Sequence, residues 1–553
     1  MRRRSRYSAL LVAAIVAGAF IVVVWTINAE PGCTPSKAGL RIAASSEKAE
    51  LLRRMAADYS ARGCGEVTVV TMASGAALDA IADGWSKSDG ARPDVWSPAA
   101  SGWLTLLRQR SASAPVAAAN PSIAKTPLVI AMPEPMAQAL GWPSKALGWA
   151  DVLKLATDEK GWARHGHPEW GDFRLGKTHP GFSTSGLNAT IGAYVAATGM
   201  SGDLTTRDVA SPAVRRFVQG VERSIVHYGD TTLTFLSNLQ RADDAGAAMS
   251  YISAVTVEEK SVWDYNQGNP TGDPATLGQH DAPKVPLVAI HPKEGTLLSD
   301  NPYAVLTWAS AAKRKVAADF LAYLRAPSQQ KVFTDHGFQG FDDEIPAKIL
   351  QVPAPKVLDA VLKSWAELRK PANVLMVMDV SGSMEAAASD TGRSKLSLAQ
   401  SAAKRAVGDF GPRDRVGLWS FSTTYDERVL LATGTRDELR TEIDRLRPQG
   451  ATGLYDTALA AVEHVQEKAR KDTINAVVLL TDGRNEVQQS ITLDKLLSGL
   501  RGDDPVRVFT IAYGSDADLT TLKTISETTN AASYDSRDAG VIDRIFTEVI
   551  ANF

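Results

Sequence analysis

The sequence predicts an α/β protein made of a two-lobed half and a doubly wound half, preceded by one transmembrane helix. Three observations carry this. Strand-like runs alternate with amphipathic helical runs from Leu40 onward, and one apolar strand pattern recurs about 160 residues after itself. The third is an uncharged apolar run near the start.

That run covers residues 9–27, which at the helical rise span about 28 Å, close to the hydrocarbon core of a bilayer. Arg2, Arg3, Arg4 and Arg6 precede it, so residues 1–8 are expected in the cytoplasm and the remainder outside, in a single-pass membrane protein. The alternative is a cleaved signal and a secreted product, for which "INA" at 27–29 is only a fair cleavage site. Cys33 and Cys64 are the only cysteines, and outside the cytoplasm they are expected to pair as a disulfide. Such a loop stabilises by roughly 3–4 kcal/mol in the chain-entropy treatment. A net charge of −2 offers no basic field, so nucleic acid is not an expected partner.

The elements of the first half follow in order. Residues 40–44 (LRIAA) read as a strand, 47–61 as an amphipathic helix, 66–72 as a strand, 77–85 as a helix and 93–97 as a strand. Such alternation implies a mostly parallel sheet covered on both faces. "PLVIAMPE" (127–134) then returns as "PLVAIHPKE" (286–294), each an apolar strand ended by proline. The interval is long enough for a whole lobe, so the two copies are expected to be the crossover strands of a hinge. "KTPLVIAM", "THPGFSTSG", "DNPYAVL" and the helical run 317–339, in that order, resemble the extracellular solute-binding proteins with two lobes and two hinge strands. The resemblance covers about 39–350 and implies a ligand cleft between the lobes, of the periplasmic-binding fold.

"GDFRLGKT" (171–178) matches the nucleotide-binding pattern G-x-x-x-x-G-K-[ST], but its context does not. Pro180 pushes His179 toward extended geometry, so no helix begins at Lys177 and no nucleotide is expected there. The following Ser183, Thr184 and Ser185 precede an apolar helix, as an anion site requires. Comparable groups follow the first three strands: Ser45 and Ser46, Ser74 and Gly75, and Ser97. Loops at strand C-termini meet where open α/β sheets bind ligands. The resemblance makes these the cleft lining, with Tyr251 closing from the second lobe, and the hydroxyls favour a small polar or anionic solute. Ordinary helix capping by the same serines is the competing reading.

Residues 351–370 are expected to form a packed connector helix, because Val357, Val361, Trp365 and Leu368 share one face between Pro355 and Pro371. Residues 371–553 carry the most specific pattern. "VLMVMDVSGSM" is a buried-type strand followed by Asp379-x-Ser381-x-Ser383; Thr452 precedes a later helix, and Asp482 ends the strand "INAVVLLTD". A hard divalent cation takes oxygen ligands and keeps several waters, which two carboxylates and three hydroxyls from one sheet edge can accommodate. The set resembles the metal-ion-dependent adhesion site of von Willebrand factor type A domains, with Mg²⁺ as the expected ion and Mn²⁺ or Ca²⁺ as alternatives. The resemblance implies a doubly wound, Rossmann-like domain and a protein partner offering a carboxylate to the metal.

The expected function is therefore non-enzymatic binding at the cell envelope. The rivals are a metal-dependent surface hydrolase and a transporter-associated solute receptor. No general base stands beside Asp379 in the sequence, and no Ser/His/Asp set stands out among eight histidines.

Overall fold

A computed structural model describes residues 33, 35–86, 89–111, 113–199, 203–388, 392–502 and 506–553. The expected membrane segment at 9–27 and the basic residues before it lie outside the described residues. Among the described residues no helix is long and apolar enough to cross a membrane.

The first lobe begins with β1 (Leu40–Ala44), β2 (Val67–Thr71) and β3 (Val95–Ser97), all parallel, with β1 between the other two. The helix Ser46–Ala61 packs on them through Leu52, Met55 and Tyr59. Lys48 lies one turn before Leu52 and is also fully buried. A Cys33–Cys64 disulfide ties the incoming chain to the turn after this helix.

The chain leaves this lobe through β4 (Thr126–Pro133), whose eight residues are all buried. The second lobe adds β5 (Leu175–Thr178), β6 (Ile225–Gly229), β7 (Ala254–Glu258) and β8 (Leu287–Ile290), in the order β6-β5-β7-β4-β8. The chain returns through β9 (Leu298–Ser299) to β10 (Ala304–Val305), which joins β3 at the edge of the first sheet.

The repeated sequence pattern is thus a pair of antiparallel neighbours, with Ile130 opposite Ile290 and Pro133 opposite Leu287. Only the first copy crosses between lobes. The return crossing comes later, where Ser299 pairs with Thr126 and Pro302 bridges to Ser122. An apolar run such as 287–290 is suited to a sheet interior, whereas a crossing segment need only be extended.

The connector is the helix Pro355–Leu368, with Val357, Val361, Trp365 and Leu368 buried as expected. Leu358, Val361 and Leu368 belong to one apolar cluster with Trp103 and Leu107 of the first lobe and Leu187 and Tyr194 of the second. Polar contacts add direction: Tyr194 Oη donates to Ser364 Oγ at 2.7 Å, and Trp365 Nε1 donates to Glu222 Oε2 at 3.2 Å. At its far end, Arg369 forms a buried ion pair with Asp414 of the third sheet's domain.

That domain contains β11 (Ala372–Asp379), β12 (Arg415–Phe421), β13 (Tyr425–Ala432), β14 (Ile474–Thr481), β15 (Arg507–Tyr513) and β16 (Ser533–Ser536). Their order is β13-β12-β11-β14-β15-β16, parallel except for β13. Successive side chains of β11 go to opposite faces. Val374, Met376 and Met378 join one apolar cluster, while Leu375 and Val377 join another with the helix Leu454–Glu467. Covering both faces explains why β11 is apolar without alternation. The second lobe and this domain are also bonded directly: Tyr228 N donates to Asn552 O at 3.1 Å, and Arg241 pairs with Glu527 at 3.0 Å.

Candidate functional site

Adjacent parallel strands β11 and β14 deliver Asp379 and Asp482 to the same sheet edge. Both are fully buried. Asp379 is fixed by two donors, Ser381 N at 2.7 Å on Oδ1 and Thr481 Oγ1 at 2.5 Å on Oδ2. Ser383 Oγ donates to Asp482 Oδ1 at 2.6 Å, and the Ser381 and Ser383 hydroxyls lie 3.0 Å apart. Thr452 comes in from the loop before Leu454–Glu467, held by its N–H to Glu486 Oε2 at 3.3 Å and by Glu486 N–H to its carbonyl at 2.8 Å. A Cβ placed on Gly483 would lie 3.1 Å from Thr452 Oγ1, so the threonine hydroxyl faces the residue next to Asp482. The five residues come from three loops that meet at one edge.

Burial pushes the Asp379 carboxyl up to about 6; the Thr481 and Ser381 hydrogen bonds oppose this and the charge of Asp482 adds to it. Among the described residues, no group of three or more His, Cys, Asp or Glu could hold a metal ion. The edge therefore offers two carboxylates supplemented by hydroxyls, an all-oxygen donor set. It fits a small hard cation that retains water better than a soft or fully caged one.

One cation already stands at this edge, and the motif does not announce it. Lys395 Nζ donates to Asp482 Oδ2 at 2.8 Å. The signal available in the sequence was a lysine at the first position of a helix, directly after the capping residue Ser394.

In the two-lobed half the cleft loops touch each other. Gly75 N donates to Phe182 O at 2.9 Å, and a Cβ on Gly75 would fall 1.9 Å from Gly181 O, so only glycine permits this approach. Trp103 Nε1 of the first lobe donates to Thr184 Oγ1 of the second at 2.7 Å; Thr184 Oγ1 in turn lies 3.5 Å from Ser74 Oγ. Ser46 Oγ lies 3.4 Å from Thr231 Oγ1 across the same gap. Ser183 and Ser185 bond each other at 3.0 Å, and neither Ser45 nor Ser183 caps its helix with its side chain. Ser45 Oγ instead accepts from the buried Lys48 at 2.8 Å.

Two expected cleft residues lie elsewhere. Ser97 donates to Pro302 O at 2.9 Å, fully buried at the hinge. Tyr251 precedes β7 and so sits at the wrong end of that strand for the cleft. It packs with Phe235, Ile252 and Val255 inside the second lobe, and the charges acting on it are Arg507 and Arg241.

Groups that pattern reading passed over occupy the hinge floor. Lys48 donates to Ser45 Oγ, Pro98 O at 3.0 Å and Asn301 Oδ1 at 2.9 Å, and burial pulls its ammonium down to about 7. Glu258 faces Glu47 and Lys48 of the first lobe and is pushed up to about 8, mainly by burial. Lys48 was detectable as a lysine on the apolar stripe of its helix. In "GDFRLGKT", Lys177 lies within β5 and forms a buried ion pair with Glu222 at 2.5 Å, and the next helix starts only at Thr184. A cavity of about 570 Å³ lies where the halves meet; its walls include His179 and Phe182 of the cleft loop, Trp365, Arg369, Phe410 and Phe553.

Residues 40–339 match the bacterial extracellular solute-binding protein family, and residues 373–548 match the von Willebrand factor type A domain. No curated protein matches the chain. Among solved structures, it is similar to a von Willebrand factor type A protein from Catenulispora acidiphila, at 22% identity over 33% of this chain and 42% of that one, with a TM-score of 0.28. The chain thus spans less than half the length of that protein. It is also similar to the sulfate-binding protein SubI from Mycobacterium tuberculosis H37Rv, at 15% identity over 59% of this chain and 96% of that one, with a TM-score of 0.37. A third is the periplasmic binding protein AfuA from Actinobacillus pleuropneumoniae, at 12% identity over 61% and 100%, with a TM-score of 0.42.

Proposed function

Since the chain belongs to the bacterial extracellular solute-binding protein family and carries a von Willebrand factor type A domain after it, we propose that it is a non-enzymatic binding protein of the cell envelope with two sites. The first site holds a divalent cation and, through it, a protein partner. Asp379 and Asp482 would supply carboxylate oxygens, and Ser381, Ser383 and Thr452 hydroxyls. A bound Mg²⁺ would supply an open coordination position for a carboxylate of the partner. The chain's own contribution is orientation: Thr481 and the Ser381 amide hold Asp379, and Ser383 holds Asp482. The second site is the cleft, for a small polar or anionic solute, and residues 9–27 would anchor the chain in the membrane.

The observation that carries this reading is the meeting of Asp379, Ser381, Ser383, Thr452 and Asp482 at one sheet edge. Native mass spectrometry of the full chain and of Asp379→Ala tests it. One divalent ion is expected on the wild type and none on the variant. An ion retained by the variant, or absent from both, would remove the metal site. A small molecule that co-purifies with both forms would support the cleft and give its mass.

A further inference from the structure

Resting on the metal site proposed above, we infer that Lys395 is a built-in counter-cation that keeps this site one negative charge short. A divalent ion is then held firmly only when a carboxylate from outside joins it. The geometry begins with Asp482, whose two oxygens have different partners. Oδ1 accepts from Ser383 Oγ at 2.6 Å, and Oδ2 accepts from Lys395 Nζ at 2.8 Å. The lysine side chain is 9% exposed and the aspartate 0%, so solvent does little to screen the pair.

The lysine is held at several points. Its N–H donates to Ala386 O at 2.9 Å, and its carbonyl accepts from Tyr513 Oη at 3.0 Å. Ser394 caps the helix it opens, accepting from Ser397 N. Gly514 completes the seat: with φ +79, it favours glycine on backbone grounds, and a Cβ there would come 2.9 Å from Lys395 Cε and 3.0 Å from Nζ. A buried ammonium is costly unless paired, and here its partner is a proposed metal ligand.

The charges then decide the behaviour. Two carboxylates and one ammonium leave the set with a single formal negative charge, and the three hydroxyls add none. A dication entering this edge meets an ammonium bonded to one of its own ligands. An added carboxylate from a partner protein offsets that charge. Metal and partner should therefore bind cooperatively, each weak without the other.

The test uses the full chain with Mn²⁺ as probe, alone and with saturating acetate, comparing wild type, Lys395→Met and Lys395→Arg by equilibrium dialysis. Acetate should tighten Mn²⁺ binding to the wild type roughly tenfold, in line with an offset unit charge at partly buried range. Lys395→Met should bind Mn²⁺ roughly tenfold more tightly than wild type without acetate and gain little from it, whereas Lys395→Arg should behave as wild type. Equal affinities in wild type and Lys395→Met would overturn the inference and leave the metal site standing. Binding in no form, with or without acetate, would overturn both. Should Lys395→Met not fold, the acetate response of the wild type alone decides, and its absence overturns the inference.

Discussion

Trp103 of the first lobe and Thr184 of the second share a buried hydrogen bond of 2.7 Å, so the two lobes hold each other shut through their own side chains. Any solute in the cleft has to displace or bridge such contacts. The connector helix reinforces the closure because it packs against both lobes in one apolar cluster.

Replacing Thr184 by Val should therefore loosen the closed form. The substitution removes the acceptor and leaves the indole N–H buried without a partner, a loss of about 1–3 kcal/mol. Small-angle scattering should show a larger radius of gyration for Thr184→Val than for wild type. Equal radii, with equal melting temperatures, would mean that this bond does not keep the lobes together.

Lys177→Met should destabilise the fold without altering any response to nucleotide. The change leaves Glu222 buried without its ammonium, although Tyr228 Oη at 2.5 Å and Trp365 Nε1 at 3.2 Å still donate to it. Those donors place the cost near the lower end of the range for broken buried pairs, about 3 kcal/mol by urea denaturation. ATP with Mg²⁺ should shift the melting temperature of variant and wild type equally. A shift seen only in the wild type would restore the nucleotide reading of 171–178.

Asp230 gives a pH prediction at the boundary between the second lobe and the von Willebrand factor type A domain. Burial, aided by the charge of Glu548, pushes its carboxyl up to about 7, well above the ordinary aspartate value. A group raised in the folded state favours folding while protonated. Its contribution is thus present below about pH 4 and is lost as pH rises toward 7. Asp230→Asn keeps the shape and removes the ionisation. The melting temperature of the variant relative to wild type should climb between pH 4.5 and 7.5. Parallel melting curves across that range would show that Asp230 carries no such dependence.

Reduction of the Cys33–Cys64 disulfide tests the lead-in segment. The bridge closes a sequence separation of 31, for which the loop-entropy relation gives about 4 kcal/mol. A double Cys33→Ser, Cys64→Ser variant should unfold at correspondingly lower urea concentration. An unchanged midpoint would indicate that the first lobe does not depend on the tie.

Much of the architecture could be read locally. β11, β14 and β15 stand out as mostly apolar runs without a period-two alternation because both faces of their sheet are covered. The connector stands out because Val357, Val361, Trp365 and Leu368 keep helical spacing. Asp379, Ser381 and Ser383 are legible because a single loop sets their relation. The position of Tyr251 was available too, since a segment that precedes a parallel strand lies away from the cleft end.

The chain alone thus dictates which segments are strands and helices, where the chain first leaves the first lobe, and which hydroxyls and carboxylates belong to the loops, because burial period and turn chemistry are local properties. Tertiary structure decides which of those side chains meet. It sets Lys395 on Asp482, 87 residues apart, takes Ser97 into the hinge through Pro302, 205 residues away, and closes the cleft with Trp103 on Thr184. Those pairings depend on sheet order and lobe contact, and neither property is carried by the residues at either end of the bond.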